Sequence, residues 1–397
     1  EMEDRTLEYL RGRFGDYYRT MNPYNPPSAE FREWGFIPWT LGRGTIMKRH
    51  QSILEAGGVH EFLMGNKPKH VYFSAGMYQR PGAPSMGGKN WTGSDLIFDL
   101  DADHLQSFDS EGKSYAEMLY ACKEELWKLL DLLIEDFGFS NLDIVFSGGR
   151  GYHVHIRRDS IKKLDRSARR EVVDYILGAG VNLDTIVQTK TIAGIGLKNP
   201  TKKRSIGSRG GWGKRVHNSI MERIEKLQSM EMESAQMELQ SFDGIGAKKA
   251  LNILSIMDKK YREIENGNID VHPDFLTWVK KLIPIVVGEE SSSIDEPVTT
   301  DIHRLIRLPL SLHGGTALQV KPVEYENLDK FDPLEQAIPD RFKQRNIKIF
   351  TEGMEGQIVE IGGETIVLED GINTVPEYAA MFLMARGEAE KVRESKN

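Results

Sequence analysis

The feature that most constrains this chain is a strand, a capped helix and an interrupted pair of strands in close succession. Residues 95–100, DLIFDL, are short and apolar in the manner of a buried strand, and a polar stretch follows them. Ser114 and Glu117 then stand as a capping box before EELWKLLDLLIEDF, which predicts a long helix with Gly138 as its stop. Residues 142–147, LDIVFS, return to strand, are broken by GGRG and resume as YHVHI. A second helix is expected over about 160–177, ending near Gly178. This alternation predicts a mixed α/β fold built around a sheet.

At roughly 150 residues per domain, 397 residues hold two or three domains' worth of chain, with no need for disulfide staples. The single cysteine, Cys122, excludes an internal disulfide and every zinc site that needs two thiolates. A packed thiol inside the predicted helix is its expected role. No apolar run approaches the roughly 20 residues of a membrane span, and the charged start EMEDRTLEYLRGRFGDYY is unlike a secretory signal. The expectation is therefore no membrane and a cytoplasmic, nucleoid-associated location.

A net charge of -7 argues against a nucleic-acid partner only on average. Between Asp184 and Glu222 there is no acidic residue, while Lys190, Lys198, Lys202, Lys203, Arg204, Arg209, Lys214 and Arg215 fall there. Lys202, Lys203 and Arg204 are expected to follow a single-stranded backbone, and Trp212 to stack on an unpaired base. Gly194, Gly196 and four later glycines make the same stretch readable as a solvated basic loop. From 218 to 268 the chain turns to charged, Met- and Glu-rich helix, as expected of an insertion. Within it, Gly244-Ile245-Gly246 followed by Lys248 and Lys249 looks like a helix-hairpin-helix turn, or a plain helical connection. A hairpin at IVEIGGETIVLEDG and a last helix opening near Pro376 complete the pattern.

Three clusters carry chemistry. Asp99 and Asp101 lie two apart on a strand and so share one face, with Leu100 turned inward and Asp103 just beyond. Carboxylates held this close repel unless a cation lies between them, and Mg²⁺ suits one or two carboxylates plus phosphate oxygens. A solvated acidic turn is the plainer reading of the same residues. The second cluster is Ser147-Gly-Gly-Arg150-Gly-Tyr-His153-Val-His155, where glycines expose backbone N–H groups beside a hydroxyl, a guanidinium and an imidazole, a set suited to a triphosphate. The third runs from Asp295 through Asp301, Arg304, Arg307, Ser311 and His313. Its spacing predicts Arg304 and Arg307 on one helix surface before a Ser/His loop, a second anion site. No Walker A or Rossmann glycine pattern is present, so the clusters together point to phosphoryl or nucleotidyl transfer.

FDLDAD (98–103), SGGRGYHVHI (147–156), REWGF (32–36) and DIHRLIRLPLSLHGG (301–315) resemble, in order and spacing, the motifs of the small, catalytic subunit of archaeal and eukaryotic DNA primase. The resemblance runs from about residue 16 to the closing VPEYAAMFLMARG. It implies the archaeo-eukaryotic primase fold, a discontinuous mixed α/β catalytic domain over 1–217 and 269–397 with an inserted helical subdomain over 218–268. It implies that Asp99, Asp101 and Asp295 hold two Mg²⁺ or Mn²⁺ ions, and that Ser147, Arg150, His153, Arg307 and His313 bind the incoming triphosphate, with Arg49 a further active-site arginine. It implies partnership with a primase large subunit, a single-stranded DNA template and nucleoside triphosphates. Two departures stand out. The family's Cys/His zinc knuckle after the DxD strand has only His104 and Cys122 here, so no structural zinc is expected. Gly315 replaces the lysine of the SLHGK pattern, so nucleotide affinity is expected to rest more on Arg307 and His313, with Lys321 the nearby lysine able to reach inward. A repair or bypass polymerase of the same superfamily, or a non-catalytic nucleic-acid-binding scaffold, are the alternatives.

Overall fold

Leu96, Phe98 and Leu100 bury one face of a strand, Leu96–Asp101, and leave Asp99 and Asp101 half-exposed on the other. In the computed structural model, which describes residues 2–40, 46–106, 108–192, 201–207 and 210–393, this strand is the edge of a four-stranded sheet. Its neighbours in order are Gly151–Ile156, Asp143–Phe146 and Lys321–Val323, all antiparallel. The Ser147–Arg150 link is too short for a crossover, so the strands on either side of it can only reverse direction.

Two glycines, Gly148 in that link and Gly151 opening the next strand, are obligatory. A Cβ on Gly151 would sit 1.9 Å from the Leu100 carbonyl oxygen, and Gly148 has φ +79° with His313 Cβ 2.6 Å from where its own would be. Gly151→Ala is therefore expected to push the two strands apart and lower both stability and activity. A variant with wild-type melting and turnover would show that the approach is softer than the structure implies.

The capping box forms as expected: Ser114 N–H donates to Glu117 Oε2 at 2.7 Å, and Glu117 N–H to Ser114 Oγ at 3.1 Å. The helix Tyr115–Asp131 ends in a π turn, Leu132–Asp136, and Gly138 follows at φ +69°. Cys122 is buried on this helix, with Sγ 3.4 Å from the Leu100 carbonyl oxygen behind the acidic strand.

A second antiparallel sheet runs in the order Leu305–Arg307, His70–Tyr78, Arg32–Ile37, Lys48–Gln51, with Trp91–Ser94 also on His70–Tyr78. Here one expectation is corrected: Arg304 and Arg307 share no helix, since Leu305–Arg307 is strand and Arg304 precedes it. Asp301 accepts the His303 N–H at 2.9 Å and turns the chain, after which Ile306 buries between half-exposed Leu305 and Arg307 against the long strand. Tertiary pairing overrides the three-residue spacing. Later, Asn346–Thr351 lies between Gly371–Pro376 and Glu390–Lys391, and Ile358–Ile361 pairs with Glu364–Val367 across Gly362 and Gly363, both at positive φ. Pro376 caps the closing helix Glu377–Ala385 rather than entering its first turn.

These sheets belong to one compact unit, Glu1–Leu126, Ser140–Val173 and Ser293–Asn397. The other comprises Trp127–Phe139 and Asp174–Ser292. It contains the helices Gly211–Ser229, Met232–Gln240, Ala247–Lys259, Tyr261–Glu265 and Pro273–Glu290, with residues 218–268 inside it. Gly244, at φ +76°, precedes the Ala247–Lys259 helix, on which Lys248 and Lys249 are exposed. Among the described residues no helix is long and apolar enough to cross a membrane.

Candidate nucleotide site

Sheet register brings the first two clusters together. Asp99 pairs with His153 and Asp101 with Gly151, which sets His153 Nε2 3.1 Å from Asp99 Oδ1. The glycine turn is held from inside, since Ser147 Oγ accepts the N–H groups of Gly149 and Gly151, each at 3.2 Å. From outside, the Tyr115 hydroxyl donates to the Gly149 carbonyl and the Thr316 hydroxyl to the Gly148 carbonyl. Arg150 pairs with Asp103 and reaches to 4.0 Å from Asp101.

His313 packs against this turn, its Nε2 3.1 Å from where a Cβ on Gly149 would lie, and Arg307 stands beyond it on the strand Leu305–Arg307. All of these groups line one open cleft of about 830 Å³, together with Asp99, Asp101, Ser147, His153 and Arg49. Arg49 is clamped by buried Glu33, at 3.0 and 3.3 Å. Arg304, Asp301 and His303 also line it, as does Arg386, whose guanidinium lies over the Tyr115 ring at 5.3 Å.

Asp295 is tied to the acidic strand through its backbone, donating N–H to the Asp99 carbonyl at 2.9 Å. Its carboxyl is pushed above the usual range by burial and by the nearby Asp99 and Asp101 charges, despite His104 and Arg304. Asp301 lines the cleft, and Asp295 is not among its lining residues. Among the described residues no three His, Cys, Asp or Glu side chains converge closely enough to cage a metal by themselves. Asp99 and Asp101 offer an oxygen pair, open toward the cleft, of the sort Mg²⁺ takes together with phosphate oxygens.

Sequence reasoning missed His70. Its Nδ1 accepts from Arg307 at 2.6 Å and from the Gly314 N–H at 3.2 Å, which puts the ring proton on Nε2. His70 also packs edge-on against His313 at 4.9 Å. A lone histidine opening a strand carries no local signal of this role.

Burial, with Arg307 and Lys69 nearby, lowers His70 from 6.5 to about 2. The unfolded chain binds a proton below that ordinary value and the folded chain does not. The resulting stability is complete above it and declines as pH falls toward about 2, by up to about 1.4 kcal/mol per unit. His155 and His313, also buried and lowered, act in the same direction. Denaturation midpoints should fall between about pH 7 and about pH 5. His70→Asn should flatten that slope, and an unflattened slope would assign it elsewhere.

The basic stretch fares differently. Trp212, expected to stack on a base, is 5% exposed and donates its indole N–H to the Tyr175 carbonyl at 2.9 Å, which leaves no ring face for a base. Arg204 is bound by Asp270 at 2.8 Å, and Lys203 is exposed. Lys198, Arg209, Gly194 and Gly196, and the side chains of Lys190 and Lys202, lie outside the described residues.

A carboxylate pair sharing an open cleft with arginine and imidazole groups has the chemistry of a phosphate-handling protein. The sequence profile described as DNA primase small subunit matches residues 98–325, which hold both carboxylates and the anion-facing groups. The chain is 50% identical over 394 residues to the DNA primase small subunit PriS of Haloarcula marismortui, covering 99% of this chain and 100% of that protein. Identity is 51% over 397 residues to that of Natronomonas pharaonis, covering 99% and 100%. It is 40% over 399 residues to that of Methanococcoides burtonii, covering 98% and 99%. This chain belongs to the DNA primase small subunit family.

Proposed function

We propose that the chain is the catalytic subunit of a DNA primase with the archaeo-eukaryotic primase fold. It joins nucleoside triphosphates into short primers on single-stranded DNA, beside a large partner subunit. The observation carrying this reading is the pairing of the Asp99–Asp101 strand with the strand of His153, which sets acidic and phosphate-binding groups on one cleft wall.

Asp99 and Asp101, with Asp295 behind them, would hold two Mg²⁺ or Mn²⁺ ions. Burial first, and then the Asp99 charge, raise the Asp295 carboxyl, and a cation beside the three carboxylates would relieve that repulsion. When bound, the ions acidify the primer 3′-hydroxyl and neutralise charge on the departing pyrophosphate. Arg307, Arg150 and His313, the last packed on the glycine turn, orient the triphosphate and receive its oxygens. Catalysis then rests on positioning and electrostatics, because phosphorus chemistry of this kind needs no protein nucleophile.

Incorporation of labelled nucleotides on a single-stranded template, with Mg²⁺ or Mn²⁺, tests the reading. Runs with and without a primer and a relative's large subunit separate initiation from extension. Extension without initiation in every arm would favour the repair or bypass polymerase. No incorporation in any arm would leave the scaffold.

His70→Ala should raise the nucleotide KM by about 10-fold or more, the weight of a hydrogen bond to a charged group, because Arg307 loses its anchor. His70→Asn, whose amide oxygen can replace Nδ1 as acceptor, should recover part of the loss. An unchanged KM in His70→Ala would detach Arg307 from nucleotide binding.

A further inference from the structure

A second cleft of about 510 Å³ shares no residue with the first. The Tyr115–Asp131 helix supplies Tyr120 and Lys123 to it, the segment before the Pro333–Gln336 helix supplies Phe331, and the Gly362-Gly363 hairpin closes it. Five carboxylates line it, those of Asp329, Asp332, Glu335, Glu360 and Glu364, against the ammonium groups of Lys123 and Lys330. Lys123 is already engaged by the Phe331 carbonyl at 2.5 Å.

Acidity alone would be ordinary surface. Tyr152 adds an independent observation. It lines this cleft, is 1% exposed, and its buried hydroxyl has no hydrogen-bond partner. Buried polar groups are nearly always satisfied, so a donor or acceptor entering from the cleft would complete it. Tyr120 meanwhile is 67% exposed at the rim. An exposed aromatic face, an unsatisfied phenol oxygen and a surplus of carboxylates together match one kind of group. A guanidinium stacks flat on an aromatic ring, donates five N–H bonds in a plane and carries a fixed positive charge.

We propose that this cleft binds an arginine side chain presented by a segment of a partner polypeptide. The charge surplus selects the cation, Tyr120 its flat face and Tyr152 its hydrogen-bonding edge. Lysine fits less well, since its ammonium is a compact point charge with no flat face to lie on the ring.

The test titrates the whole chain with acetyl-Gly-Arg-Gly-amide and follows the backbone amide resonances of Gly362, Gly363 and Tyr120. Saturable shifts confined to these amides are expected, with no such shifts from the neutral citrulline analogue. Glu360→Gln with Glu364→Gln should weaken binding by about tenfold, and Tyr120→Ala by about threefold. Tyr152→Phe should weaken it by about tenfold through the lost hydrogen bond. Nucleotide incorporation by the Glu360/Glu364 variant should match wild type, confirming an intact fold. Shifts that scatter over the acidic surface without saturating, equal binding of the citrulline peptide, or indifference to the carboxylate substitutions would each overturn the proposal.

Discussion

Nucleotide incorporation should drop in Asp99→Ala and in Asp101→Ala beyond the roughly 10 to 100-fold that changes around metal ligands typically cost. Each substitution halves the oxygen pair that faces the cleft. Asp99→Ala also deprives His153 of its carboxylate partner at 3.1 Å, so nucleotide affinity should suffer there as well as turnover. Stability should hold in both variants, because removing one of two adjacent carboxylates relieves their repulsion and leaves the buried Leu96, Phe98 and Leu100 face untouched. Steady-state kinetics beside a thermal melt would check this, and near-normal turnover in either variant would sink the metal assignment. Asp295→Ala should resemble them and Asp301→Ala should be milder. The reverse ranking would move the third ligand to Asp301, which lines the cleft.

Asp95→Asn should be the opposite kind of variant, destabilised by about 3–5 kcal/mol with its catalytic groups intact. The Asp95 side chain is 1% exposed and receives Arg32 at 2.8 Å and Arg157 at 3.1 Å. Neutralising it leaves buried Arg32 without its counter-charge. Arg32 is also held by the carbonyls of Pro27 and Ser74, both at 2.8 Å, so it cannot swing out to water without breaking these bonds. Urea denaturation should show an earlier midpoint, while turnover per folded molecule stays near wild type. A shift below about 1 kcal/mol would mean that water reaches the pair and screens it, as at a surface.

Asp95, Asp99, Asp101 and Asp103 read alike in sequence, and the fold gives them different work. Asp99 and Asp101 were legible because a two-residue period fixes their shared face whatever else surrounds the strand. The glycine turn and the capping box were legible for a similar reason, since each is decided by residues within a few positions. Asp95 was not, because its partners Arg32 and Arg157 come from other strands or strand ends. The REWGF motif shows the same limit: Arg32 and Glu33 are buried braces, one for Asp95 and one for Arg49. Leu305–Arg307 became strand, and Trp212 core, through contacts with chain far away in sequence. A tryptophan among lysines reads as a stacking platform until its burial is known.

Cys122 gives the molecule a reporter of its own. Its thiol sits directly behind Leu100, the residue between Asp99 and Asp101, and burial first, with the Asp101 and Asp99 charges next, pushes its ionisation well above the ordinary range. A thiol reagent therefore reacts only when that strand and its helix part, and as the chain's single cysteine it leaves no ambiguity about where labelling occurred. Labelling rates measured with and without nucleotide would clock the opening of the acidic strand, with no engineered probe.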